Sequence, residues 1–221
     1  MKQMDVARLF KLLFKNTAVC GLMIGCVLMA AALPLRADSA DLNDPVNQKA
    51  VLKLARRAFD AYARSRVEIA PPSPLPAVFA ERHGVFVSTM RSGAPRTCMG
   101  TLYPCQSNFA EEIIENAAAS AGRDRRFPAV GPGELSKLDL IVSVITSRPR
   151  PISEQVARSL DPARDGLAVL YGDRYGVVLS GETYDPANMV KWGRIRAGAP
   201  KGSSVRLFEI HDIRFMESEF N

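Results

Sequence analysis

The stretch Asp165–Ser180, DGLAVLYGDRYGVVLS, sets two apolar runs back to back about Gly172-Asp173. A glycine-aspartate pair between apolar runs is a strong hairpin signal, and a hairpin forces antiparallel pairing. A second such signal comes earlier. Gly84–Met90 (GVFVSTM) reads as a strand, Arg91–Pro95 as a longer turn, and Thr97–Leu102 as the returning strand. Leu138–Ser147 is a strand too apolar to have a wet face, and Val205–Phe215 reads as one last strand, in part at an edge.

Helical segments interleave with these strands. Ala50, Val51, Leu54, Ala55, Ala58, Phe59 and Tyr62 recur at helical spacing after an Asp44-Pro45 start. Ser107–Gly122 has a capping serine, a stripe of Phe109, Ile113, Ala117 and Ala121, and a closing glycine. Its Glu111, Glu112 and Glu115 sit where the helix dipole favours them and read as surface. Asp185–Gly198 repeats the pattern, with Met189, Trp192 and Ile195 on one side. Ala70–Phe79, with four prolines, is an extended crossing segment. Helices among hairpins, without strict βαβ alternation, predict an α+β fold with a largely antiparallel sheet and flanking helices.

Residues 1–37 read as an address. Lys2, Arg8, Lys11 and Lys15 precede an uncharged run of 17 residues, Thr17–Leu33, and then Leu35-Arg36-Ala37. This is a basic region, an apolar region and a small residue at a cut site, as in an export signal. The run exceeds the usual 7–15 or so residues, so an uncleaved anchor competes, as does a lipid-attachment box at Cys26. All three readings export the rest, to the periplasm or cell envelope. Any membrane contact would then come only through this segment, if uncleaved. Residues 38–48 read as a polar tether and 49–217 as one domain.

The formal charge of +6 owes much to that segment. Residues 1–37 hold five basic residues and one acidic, which leaves 24 against 22. The remainder gives no footing for nucleic acid. No Gly-x-Ser-x-Gly, P-loop, His-Glu-x-x-His or Cys-x-x-Cys is present, and two histidines among scattered carboxylates suggest no metal and no cofactor.

Arg96–Cys105, RTCMGTLYPC, holds both cysteines of the body. On a regular strand Arg96 and Cys98 share a face, and a guanidinium stabilises a thiolate. Gly100 would leave that face open to a ligand, and Thr101 would donate a hydroxyl hydrogen bond if a bulge turned it inward. A strand cysteine is equally a small packing residue. Packing, a ligand-binding thiol and a nucleophile all remain open. So does a Cys98–Cys105 disulfide. Seven extended residues span about 23 Å while a bridge needs Cα atoms within about 7 Å, so the strand would have to fold back.

Several separated stretches together resemble the AMME chromosomal region protein family. They are GVFVSTM, RTCMGTL (Arg96–Leu102), ENAAASA (Glu115–Ala121), DRRFPAV (Asp124–Val130), ELSKLDLIVSVIT (Glu134–Thr146) and RDGLAVL (Arg164–Leu170), in the family's order. Thr97 stands where the family has glycine and Arg125 where it has proline, and the sequence diverges from Val177 onward. The resemblance implies an α+β domain with a larger and a smaller part and a groove between them, lined by the cysteine motif. It brings Asp124 and Arg126 toward Cys98. It thus nominates Arg96, Gly100, Thr101, Asp124, Arg126 and Phe127 as ligand-binding and Cys98 as the reactive residue of any chemistry. The family's activity is not established. Bacterial relatives are grouped with Memo-like and radical-SAM proteins in the AmmeMemoRadiSam system, partners from which an exported copy would be separated. The expected role is binding a small ligand or protein partner in the groove; the alternative is a cysteine-dependent envelope enzyme.

Overall fold

The computed structural model describes residues 41–220; residues 1–37, read above as an export signal, lie outside them. Helix α1 (Pro45–Ser65) starts at a proline, with the Asp44 carboxylate accepting the N–H of Val46. Leu42 already packs in the core, so the body begins ahead of residue 49. Strands β1 (Val85–Arg91) and β2 (Ala94–Gly100) form the first hairpin. Its turn is shorter than the sequence suggests. Arg91 pairs with Ala94, leaving only Ser92 and Gly93, at φ 50° and 78°, in the left-handed region that a tight two-residue turn needs.

Helix α2 (Phe109–Gly122) follows, capped by Asn108 rather than Ser107. A 3₁₀ turn (Pro132–Lys137) leads into β3 (Asp139–Ile145). Then come β4 (Arg150–Ile152) and α3 (Glu154–Ala157), both too short to show a period in sequence. The second hairpin, β5 (Gly166–Tyr171) and β6 (Arg174–Val178), turns at Gly172-Asp173 as expected. Helix α4 (Pro186–Ala197) runs from an Asp185 cap to Gly198 at φ 70°.

The last apolar stretch is two strands. β7 (Arg206–Ile210) and β8 (Asp212–Met216) part at His211 and enter different sheets. Every pairing is antiparallel, in the orders β2-β1-β3-β8 and β4-β7-β5-β6. The α+β reading therefore holds, with the strands divided between two four-stranded sheets.

Strand alternation sorts the side chains into three apolar layers. Val85, Val87, Leu140, Val142 and Val144 face α1 and α2 in the larger core. Leu167, Val169, Val178 and Leu207 face Met189 and Ala197 of α4 in a smaller one. Between the sheets lie Leu102, Ile145, Ala168, Leu179 and Ile210, with Phe86 and Phe208 against them. The seam between the larger and smaller halves is thus packed at its centre. Helix α4 sits tightly on β6, where a Cβ on Gly176 would come 2.0 Å from the Gly193 carbonyl. Met189 is buried and Trp192 partly so, but Ile195 is 66% exposed, because it lies on the outer side of α4.

Candidate functional site

β2 is an edge strand, and its outer backbone groups have no strand to pair with among the described residues. The segment after α2 supplies the partner. Asp124 accepts the backbone N–H of Cys98 at 2.9 Å, and Arg126 Nη2 donates to the Cys98 carbonyl at 2.8 Å. The two side chains join each other through Nη2–Oδ2 at 2.7 Å and Nε–Oδ1 at 2.9 Å. An ion pair here does what a neighbouring strand would do. Burial alone would raise the Asp124 pKa, but hydrogen bonds from Arg126 and from the backbone of Cys98 and Arg126 outweigh it and hold the carboxyl below its ordinary range. Arg126 is correspondingly raised, chiefly through its bond to Asp124.

Arg96 stands apart from the thiol. The β1–β2 register shifts between Thr89 and Met90: Thr89 faces Thr97 but Met90 faces Pro95, so Arg96 is left over. Such a bulge re-aims a side chain. The Arg96 guanidinium binds Glu134 through Nε at 3.0 Å and Nη2 at 3.2 Å, donates to the Pro128 carbonyl at 3.0 Å, and leaves its buried Nη1 without a partner among the described residues. Hydrogen bonding to Arg96 is also the main cause that lowers the Glu134 pKa. The charge pairing of Arg96 with Cys98 expected from a regular strand is replaced by Arg126, because the bulge breaks the two-residue period.

Cys98 keeps partial exposure as a residue, yet its sulfur is packed closely enough that burial raises its pKa. A hydrogen bond with Ser88 acts the other way, Glu182 adds to the rise, and Arg126 and Arg196 oppose it; the net direction is upward. Neither histidine is among those groups. His83 lies edge-on to Phe109, and His211 faces Asp165 and Glu209 at 3.8 and 3.7 Å. Among the described residues Cys98 and Cys105 are both free thiols, not bonded to each other.

The remaining predicted residues divide. Gly100 does not open onto a ligand: the Phe86 ring lies over it, and a Cβ there would come 2.3 Å from Phe86 Cδ1. Thr101 does donate its hydroxyl, but to buried Glu112. Phe127 lies between two cations, with Arg96 5.7 Å and Arg126 5.6 Å from its ring centre. Thr97, at the position of the family glycine, is buried and joins Thr89 and Ser120 by hydroxyl bonds of 2.8 Å each.

Glu112 is a residue that sequence reasoning placed wrongly. It is buried, not surface, and accepts the N–H groups of Cys105 and Gln106 at 2.7 Å each. Its position in the first turn of α2 gave no sign of this, since dipole and loop both want a carboxylate there.

A second cluster escaped the sequence because its members come from different elements. Glu182 and Arg196 pair at 2.5 Å beside the seam. Asp212 of β8 accepts the Ser180 N–H at 3.0 Å and its hydroxyl at 3.1 Å, linking the second hairpin to the first sheet. Burial raises the Asp212 pKa; the Ser180 bonds and Arg214 act against it, and Glu182 adds to it. Asp165, Glu209 and His211 also gather, with ligand-type atoms within 4.8 Å of one another. Each carboxylate there has another partner, the Asp161 N–H for Asp165 and Arg150 for Glu209.

Two antiparallel sheets sandwiched by helices, with an edge strand closed by an aspartate-arginine pair, define a small α+β domain with its cysteine motif at the rim of the inter-sheet seam. The chain matches the AMMECR1 family over residues 52–220 and belongs to it. A Thermotoga maritima protein is 35% identical over 161 residues, spanning 71% of this chain and 90% of the relative. A Thermococcus gammatolerans protein is 37% identical over 151 residues, spanning 65% and 70%. Among solved structures, uncharacterized protein PH0010 from Pyrococcus horikoshii superposes with a TM-score of 0.66 at 31% identity, covering 76% of this chain and 89% of that one.

Proposed function

We propose that this AMMECR1-family domain is an exported binding module that holds a small ligand or a protein partner, without turnover, at the rim formed by Arg96, Cys98 and Asp124–Phe127. The observation that carries this is the Arg126 side chain. It is 52% exposed, yet is fixed by Asp124 and the Cys98 carbonyl beside the flat face of Phe127. A guanidinium held rigid at a surface next to an aromatic ring keeps its Nη1 donors for a ligand and offers a stacking plane at little entropic cost. Arg196, from the smaller half, adds a second guanidinium near the thiol, paired there with Glu182. Each guanidinium is already paired, Arg126 with Asp124 and Arg196 with Glu182, so the favoured contact is a flat group with a hydrogen-bond acceptor.

The cysteine-enzyme reading has less support. A nucleophilic thiol needs a lowered pKa or an adjacent base, and Cys98 has a raised pKa and no histidine among the groups acting on it. The export assignment rests on residues 1–37 alone. The test is native mass spectrometry of protein isolated from its own compartment, with Cys98→Ser and Arg126→Ala alongside. Binding without turnover predicts a retained species that survives Cys98→Ser and disappears in Arg126→Ala. Loss in a folded Cys98→Ser protein, retention in Arg126→Ala, or no retained species in any of them contradicts it.

A further inference from the structure

The outer face of α4 holds a cavity of about 360 Å³ that is unrelated to the cysteine side. Its walls include Val190 and Ile195, and Ala187 and Ala199 add two small apolar residues. Its charged lining is cationic throughout: Arg158, Lys191, Arg194 and Lys201, with no carboxylate among the lining residues.

Three details make this more than a solvated basic face. Ile195 is 66% exposed, although α4 has an inner face, where Met189 and Ala197 are buried, available for apolar side chains. Arg194 is fixed in place: its Nη2 donates to the Pro200 carbonyl at 2.9 Å, the Ser203 carbonyl at 2.8 Å and the Ser203 hydroxyl at 3.1 Å. All three bonds use one nitrogen, so Nε and Nη1 keep their donors, with no partner among the described residues. Lys191 and Lys201 likewise pair with no carboxylate among the described residues, whereas Arg158 pairs with Glu154 at 2.7 Å.

An apolar floor under a one-sign rim, with one cation pre-set by the fold, fits a molecule that is apolar at one end and anionic at the other. The volume lies at the small end of ligand pockets, which run from about 300 to 1,000 Å³. We infer that this cavity binds a monomeric single-chain carboxylate, its tail against Val190 and Ile195 and its head group held by Arg194, Lys191 and Lys201. Charge complementarity selects the occupant: a neutral amphipath would leave the rim unanswered, and a soluble acid would leave the floor wet.

The protein's one tryptophan, Trp192, lies on α4 next to Lys191 and packs against the smaller core, so it reports on this helix. The experiment titrates dodecanoate, at monomeric concentrations, into the whole body and follows Trp192 fluorescence. The expected result is a saturable change that weakens about tenfold in Lys191→Glu/Lys201→Glu and is lost in Ile195→Asp, with circular dichroism unchanged. Dodecyl maltoside should give no saturable change at the same concentrations. Equal binding of the maltoside overturns the inference, as does unchanged affinity in both folded variants. Binding to phosphatidylglycerol vesicles without saturable binding of monomeric dodecanoate also overturns it, since that marks a membrane-facing surface instead.

Discussion

Asp124 and Cys98 meet side chain to backbone: the carboxylate takes the amide N–H of the cysteine at 2.9 Å, on the open edge of the first sheet. The motif that draws attention to the thiol thus uses the cysteine's main chain. Asp124 is itself buried, with 3% of its side chain exposed, while its Arg126 partner is half exposed. Removing the carboxylate leaves two amides, those of Cys98 and Arg126, and one guanidinium short of a partner. Asp124→Ala should lose about 2–4 kcal/mol, read as a fall in the urea midpoint with little change in slope. A change below about 0.5 kcal/mol would mean that solvent replaces the clamp at no cost.

Asp124 and Asp212 predict opposite pH trends. The Asp124 pKa is depressed, so its contribution is present above the unfolded value of about 3.9 and is lost as pH falls through the folded value. The Asp212 pKa is raised, so ionising it costs stability as pH climbs from about 3.9 through the folded value. Asp212→Asn removes that cost. Relative to the unaltered protein, the variant should do better at pH 7 than at pH 4 in urea unfolding. The reverse order would show that the Ser180 bonds outweigh burial.

Gly176 lies where β6 meets α4, and a Cβ would fall 2.0 Å from Gly193 O and 2.4 Å from Ala197 N. Both neighbours are helix backbone, which cannot turn aside as a side chain can. Gly176→Ala should cost about 3 kcal/mol or more and lower the thermal midpoint accordingly. Gly133→Ala, with nothing within 4 Å of the added carbon, serves as the control and should change little.

Glu112 holds the 101–106 turn to α2 through two backbone amides and the Thr101 hydroxyl. Glu112→Ala takes the acceptor from three part-buried donors. It should cost about 2–3 kcal/mol and speed hydrogen exchange at Cys105 and Gln106 ahead of global unfolding. Exchange that stays as slow as in the parent protein would remove Glu112 from that role.

Local signals made most of the fold legible in the sequence. Asp44-Pro45 and Asp185-Pro186 mark the starts of α1 and α4, and Gly172-Asp173 marks its turn. The split at His211 was not legible, because Val205–Phe215 keeps strand composition through the change of sheet. For the site, Asp124, Arg126 and Cys98 come together as the family resemblance implies. Arg96 turns elsewhere, since a one-residue bulge in β2 has no composition of its own. Gly100 reads as open space in one dimension and is filled by Phe86 from the facing strand in three. Glu182, Arg196 and Asp212 belong to distant stretches, and only the seam between the sheets assembles them.

The measurement that bears most directly on binding without cysteine chemistry is the pH profile of Cys98 alkylation by iodoacetamide, followed in a Cys105→Ser background. A thiol whose pKa is raised by burial should react more slowly than an unhindered cysteine at pH 7, and its rate should keep climbing past pH 9. A fast reaction at pH 7 that levels off below pH 8 would reveal a stabilised thiolate, and it would contradict the account.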